Sequence, residues 1–222
     1  FGACLMKEKV LVRNCLNAMA SNTNIDVSMK CRIGIGDNFN YDFFHEFIDE
    51  TIKSGIKIIY VHARNAILNG LNPKDNRTLP PLNYKYVARI QKDYPSIQFI
   101  LNGGINNLDD AYQYSKKFKG VMLGRLIKSN PFCLSHVDKL FFNSVNNNNI
   151  YQKIILEYFE YIKKRIHHDS IYRLLSPLLY IFFSVPNGKK IKSEINANMK
   201  NYEIDKLKSL FLNFIKGQTV EI

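Results

Sequence analysis

Two short stretches decide the fold: Ile97-Gln98-Phe99-Ile100-Leu101-Asn102-Gly103-Gly104 and Gly120-Val121-Met122-Leu123-Gly124-Arg125. Each begins as an apolar run and ends in glycine beside a polar residue. A near-continuous apolar run, as at Ile56–His62 upstream, is the mark of a strand covered on both faces in a parallel sheet. The same grammar holds upstream. Ile25–Ile33 reads as a β-branched strand ending in Gly34-Ile35-Gly36, and Ile56–His62 as a second strand. Between them lie helical stretches. Lys9–Met19 carries an apolar stripe, and Tyr41–Lys53 places Phe43, Phe44, Phe47, Ile48 and Ile52 inward. Asn83–Asp93 is closed by Pro95, and a helix opens at Leu108 with Asp109 and Asp110 in its first turn, where the helix dipole favours acids. Four strand–helix units in series imply a parallel sheet with right-handed crossovers. Four such strands fit either a small doubly wound sheet or half of an eight-stranded barrel.

From Asn146 the pattern changes. Ile150–Ile166, Ser170–Phe183, Gly188–Met199 and Tyr202–Ile215 read as four helices with no strand between them, and Asn146–Asn149 reads as the linker. The expected organisation is a partial barrel over residues 1–145 followed by a small all-helical bundle over 150–222.

The 222 residues carry a net charge of +12, with 46% hydrophobic and 23% charged side chains, which excludes disordered and collagen-like chains. The excess is shared, +7 in residues 1–150 and +5 in 151–222. A polyanionic partner explains it, and so does the compositional bias visible in the heavy use of Asn, Lys, Ile and Tyr. The run Leu174–Val185 is interrupted by Ser176 and Pro177 and falls short of the ~20 residues of a membrane span. Cys4, Cys15, Cys31 and Cys133 form neither CxxC pairs nor metal-ligand spacings with His. That favours reduced thiols in a cytoplasmic compartment (an organelle being the alternative) and no metal site. The chain opens at Phe1-Gly2-Ala3 without an initiator Met, as a fragment would.

Ligands of parallel α/β folds bind at the C-terminal ends of strands, and every strand here ends in residues a core does not choose. The first presents Lys30 and Arg32, the second His62 and Arg64, the third Asn102-Gly103-Gly104, and the fourth Gly124-Arg125. Glycines let backbone N–H groups approach an anion and Arg supplies a bidentate fork. In barrels the loops after strands seven and eight often hold a phosphate. A flavin mononucleotide (FMN) fits this arrangement, with Lys30 near the N1–C2=O edge of the ring. After His62 comes a long loop, Ala63 to Arg77 and on to Pro80-Pro81-Leu82, with three cations, Arg64, Lys74 and Arg77. A loop of this length at the ligand rim tends to be functional.

At these residues the chain resembles the tRNA-dihydrouridine synthases, in particular their bacterial A-type branch. The resemblance rests on FGACLM at Phe1–Met6, VSMKCRIGI at Val27–Ile35, VHAR at Val61–Arg64, GLNPKDNRTLPPLNY at Gly70–Tyr84, LNGGI at Leu101–Ile105 and GVMLGR at Gly120–Arg125. It implies an oxidoreductase on a TIM (β/α)8 barrel, of which this chain holds strands five to eight, N-terminally truncated. Such an enzyme reduces uridine to 5,6-dihydrouridine in tRNA with FMN, NADPH being the usual reductant, and is monomeric when full length. By position Lys30 and His62 contact the flavin or its ribityl chain, and Asn102, Gly103, Gly104, Gly124 and Arg125 hold its phosphate. Arg64, Lys74 and Arg77 in the loop, and Lys189 and Lys192 in the helical tail, fall at tRNA contacts. The resemblance implies a general-acid Cys in an N-x-GCP motif upstream of Phe1, so no catalytic residue is expected among the 222, and Cys4 is not the acid. Asn65 stands where many relatives have Lys. Two other readings remain: another FMN barrel acting on a small molecule, and a non-catalytic RNA-binding remnant.

Overall fold

A computed structural model of the chain describes residues 2–37, 39–144, 150–182, 185–201 and 203–218. They form two compact units, Phe1–Gly124 and Arg125–Ile222.

In the first unit a 3-10 turn, Gly2–Lys7, leads into helix α1 (Lys9–Ser21). Strand β1 (Ser28–Arg32), helix α2 (Tyr41–Ile52), strand β2 (Ile58–His62), helix α3 (Tyr84–Asp93), strand β3 (Gln98–Asn102), helix α4 (Leu108–Ser115) and strand β4 (Gly120–Met122) follow. All strand pairs are parallel, in the order β1-β2-β3-β4. The Asn-rich composition is put to structural use at the helix starts. The side chains of Asn40, Asn83 and Asn107 each accept a hydrogen bond from the backbone N–H three residues on, at 2.8, 3.3 and 2.7 Å. Each satisfies an amide that the first helical turn leaves without a partner.

The sheet has two unlike faces. Met29, Cys31, Ile59, Val61, Phe99 and Leu101 are buried, together with Phe44, Phe47 and Ile48 of α2, Val87 and Ile90 of α3, and Ala111 of α4. The alternate residues, Lys30, Tyr60 and Ile100 in one row and Arg32, His62 and Asn102 in the next, share the opposite face because they pair in register and side chains alternate along a strand. Of the strand-end residues that the sequence marked as polar, Lys30, Arg32, His62 and Asn102 thus lie on one side of one sheet.

The second unit begins with helix α5 (Arg125–Ser129), a 3-10 helix Pro131–His136 and helix α6 (Val137–Phe142). It continues with α7 (Ile150–Arg165), α8 (Ile171–Leu175), a 3-10 helix Leu178–Phe182, α9 (Gly188–Lys200) and α10 (Ile204–Gln218). Its core gathers Ile155, Phe159 and Ile162 of α7 with Leu174, Leu175, Phe182, Ile195, Leu207, Phe211 and Ile215. Spacings of three and four bring each helix's apolar residues onto one face. The division into units falls earlier than the Asn146–Asn149 run, which itself lies outside the described residues. Part of the reason is visible at Tyr151 of α7. Its hydroxyl donates to the Phe132 carbonyl at 2.7 Å and its ring meets Phe132 edge-on at 4.9 Å, so the segment after β4 packs with the helices. The helix expected over Ser170–Phe183 is two pieces, because Pro177 cannot donate an i to i−4 hydrogen bond. Phe183 lies outside the described residues.

Candidate functional site

Lys30, the first candidate, extends from β1 and pairs with Tyr60. Partial desolvation holds its ammonium below the ordinary lysine pKa; the neighbouring Cys31 opposes this and Arg32 adds to it. A cavity of about 520 Å³ lies against α1 and β1; Lys30, Arg32, Met6, Leu16 and Met29 are among its lining residues. His62 does not line it.

His62 is buried at the end of β2 and packs over the turn that follows β3. A Cβ placed on Gly103 would sit 2.5 Å from the His62 Cδ2, and one on Gly104 would sit 2.4 Å from a Leu82 methyl. Both glycines adopt positive φ, +106° and +71°, where L side chains are strained. No larger residue fits this turn. Asn102 braces it from below by donating its Nδ2 to the Met122 carbonyl at 2.8 Å. Among the described residues no acceptor takes the Gly104 N–H. A backbone cradle with an amide to spare suits an anion. Gly124 is exposed and Arg125 is the first residue of the second unit.

The long loop after β2 is a built structure. Arg32 Nη1 donates to the carbonyls of Asn65 and Asn76, both at 2.8 Å. Asn76 in turn closes a ring: its Nδ2 donates to Ile67 O at 2.7 Å and its Oδ1 accepts from Ile67 N at 2.8 Å. Asn72 caps the short 3-10 turn Asp75–Arg77 by accepting from Lys74 N and Asp75 N at 2.9 and 3.0 Å. On this frame Lys74 and Arg77 are exposed.

Arg64 differs from its expected role as a tRNA contact. It is 8% exposed, and its guanidinium donates to the Pro80 carbonyl, while its backbone bridges to Leu82. It holds the two ends of the loop together and presents no open cation to a nucleic acid. Asn65 is buried as well. Its Nδ2 donates to Gly36 O at 2.8 Å and its Oδ1 meets no partner among the described residues.

In the second unit Lys189 is exposed and Lys192 half-buried, one turn apart on α9. Arg32, named in the sequence only as a polar strand end, and Tyr84, which the expected set omitted, organise the site. Arg32 was legible as the i+2 neighbour of Lys30, on the same sheet face. Tyr84 carried only its place at the end of the Gly70–Tyr84 motif.

Lys30, His62 and Asn102 and a turn of two positive-φ glycines thus stand at the C-terminal ends of one parallel α/β sheet. The family follows from comparison. The model of the dihydrouridine synthase (Dus) family matches residues 1–216, and the chain belongs to that family. A tRNA-dihydrouridine(20/20a) synthase of Xanthomonas axonopodis pv. citri is 41% identical over 138 residues, 62% of this chain and 41% of the relative. One of Vibrio vulnificus is 34% identical over 200 residues, 89% of this chain and 61% of the relative. One of Xylella fastidiosa is 33% identical over 222 residues, 98% of this chain and 66% of the relative. The chain therefore spans from two fifths to just under two thirds of the length of these relatives.

Among the described residues no helix is long and apolar enough to cross a membrane, and no group of His, Cys, Asp and Glu is placed to hold a metal ion. All four cysteines are free thiols.

Proposed function

We propose that the protein is an FMN-dependent tRNA-dihydrouridine synthase acting in the cytoplasm, with NADPH as reductant. The observation that carries this is the Gly103-Gly104 turn, whose two positive-φ glycines and available Gly104 N–H close the same sheet that bears Lys30, His62 and Asn102. The sheet order supports reading the first unit as strands five to eight of a (β/α)8 barrel. Right-handed crossovers that always step the same way keep every helix on one face. A doubly wound sheet reverses direction and covers both. The burial pattern of β1 to β3, one face sealed and the other part-open, agrees.

In this reading Gly103, Gly104 and Gly124 hold the flavin phosphate through backbone amides, and the Arg125 guanidinium supplies the counter-charge. When bound, reduced FMN would supply a hydride to one carbon of the uridine C5–C6 bond, and a general acid outside the residues named here would supply the proton to the other. Lys30 does the electrostatic work on this side of the ring: a partly desolvated ammonium near the N1–C2=O edge favours negative charge there. His62 sits between Lys30 and the phosphate turn and orients the ribityl chain. Lys74 and Arg77, on their pinned loop, and Lys189 and Lys192 on α9 bind tRNA phosphates, and residues 150–222 serve as the helical tRNA-binding part. Loss of dihydrouridine from cellular tRNA on deletion of the gene, measured by mass spectrometry of nucleosides, tests this. An unchanged dihydrouridine content overturns it.

A further inference from the structure

The turn after β3 is held by a hydroxyl. Tyr84, the first residue of α3, donates its Oη–H to the Gly103 carbonyl at 2.6 Å. Its ring is half-buried and meets Tyr114 of α4 edge-on, with centroids 5.0 Å apart. The backbone on its N-terminal side is fixed too: Asn83 N donates to Ala63 O at 2.8 Å, and the Asn83 side chain caps α3.

The peptide that Tyr84 grips is the one between Gly103 and Gly104. In a planar trans peptide the C=O and the following N–H point in opposite directions. Fixing the Gly103 carbonyl on the Tyr84 side therefore turns the Gly104 N–H to the other side, where no acceptor among the described residues takes it. A peptide between two glycines is also the one most easily rotated, since neither flanking residue has a Cβ to confine it. Left alone, this amide samples many orientations. Tied by Tyr84, it has one.

We propose that Tyr84 is a positioning residue for anion binding, its hydroxyl locking the Gly103–Gly104 peptide so that the Gly104 amide is presented to the phosphate of the flavin nucleotide. The proposal rests on the reading of this turn as the phosphate cradle. Burial raises the Tyr84 pKa, with Tyr114 adding to the effect, so the hydroxyl keeps its proton through the neutral range.

The test compares FMN with riboflavin, which has the same ring and ribityl chain without the phosphate. Each is titrated into the full chain, wild type and Tyr84→Phe, with flavin fluorescence as readout. Tyr84→Phe keeps the ring and its contact with Tyr114 and deletes only the donor. The expected result is an FMN affinity weakened about tenfold, the size of one net hydrogen bond, with riboflavin affinity unchanged. Tyr114→Phe leaves the Gly103 bond in place and alters neither affinity. Equal losses for both flavins, or no loss for either, overturn the proposal. If the wild-type chain itself shows no preference for FMN, the cradle reading fails; if it prefers FMN and Tyr84→Phe keeps that preference, only the role of Tyr84 fails. Should the phenylalanine variant not fold, Tyr84→Met, which also lacks the hydroxyl, is expected to show the same selective loss of FMN.

Discussion

Arg32 and Asn76 are joined across 44 residues of sequence by one hydrogen bond, from Arg32 Nη1 to the Asn76 carbonyl at 2.8 Å. The same nitrogen reaches the Asn65 carbonyl, so a side chain at the end of β1 pins both the start and the middle of the loop that carries Lys74 and Arg77. Bonds from a charged donor are worth about 1.5–3 kcal/mol each when well shielded, and less here because the guanidinium is only half-buried. Arg32→Ala is expected to speed tryptic cleavage after Lys74 and Arg77 severalfold while the sheet stays intact. Unchanged loop cleavage would show that Asn72 and Asn76 hold the loop unaided.

Gly104→Ala is predicted to destabilise the first unit by about 1–3 kcal/mol, the cost of a side chain held at positive φ. The added Cβ also meets a Leu82 methyl at 2.4 Å. Because that contact is local, Leu82→Ala in the same chain should recover part of the loss, which a double-mutant cycle of denaturant midpoints measures.

The cysteines should separate by accessibility. Cys4 and Cys15 are exposed and Cys31 is buried, with burial pushing the Cys31 thiol up to about 12. Two thiols are expected to react rapidly with a chromogenic disulfide at pH 8, Cys133 more slowly, and Cys31 only on unfolding. Early loss of Cys31 would mean that β1 opens locally.

Stability should fall in alkali. Burial and a hydrogen bond to Asp49 raise the Tyr94 pKa to about 12, and burial and Asp93 raise that of Tyr41. A pKa raised by folding means that the native state keeps a proton the unfolded chain gives up near pH 10. The stabilisation is therefore whole below about pH 10 and is lost as pH climbs towards 12. Tyr94→Phe is expected to flatten this decline in a series of melting curves, without steepening it.

The two kinds of arginine and lysine on the loop should part company in salt. Lys74→Ala is expected to reduce the slope of log K for tRNA against log salt by about 0.7–0.9, one phosphate contact. Arg64→Met should leave the slope unchanged and lower the melting temperature, since its guanidinium serves Pro80.

Strands and helices of the first unit were legible because burial on one face leaves a periodic trace. Phe44, Phe47, Ile48, Phe99 and Leu101 are apolar at the spacing their elements require. Strand β1 is shorter than Ile25–Ile33 suggested, since Ile25 is exposed and only Ser28–Arg32 pairs with β2. The glycines after β3 were legible as a tight turn because their chemistry is local. Arg64 was misleading for the opposite reason. Whether a cation faces solvent or a carbonyl depends on Pro80, which lies on the far side of a loop. Tyr84 escaped notice because the acceptor of its hydroxyl is a backbone carbonyl in the turn after β3, and a backbone partner leaves no mark in the sequence. The helices α5 and α6 are short and carry no fully buried residue, so they had no stripe to read.

The order β1-β2-β3-β4 has a consequence for how the sheet is made. Each of β2, β3 and β4 pairs with the strand synthesised just before it, so none of these three waits for a partner translated later. Arg32, His62, Asn102 and Met122 take their places in the order in which they are translated, and each addition closes a loop of modest entropy cost. At every stage one side of the sheet is a growing edge of unpaired backbone groups. A ribosome that stalls between two strands leaves that edge open, and the timing of elongation through residues 63–97, the longest interval between strands, sets how long it stays so.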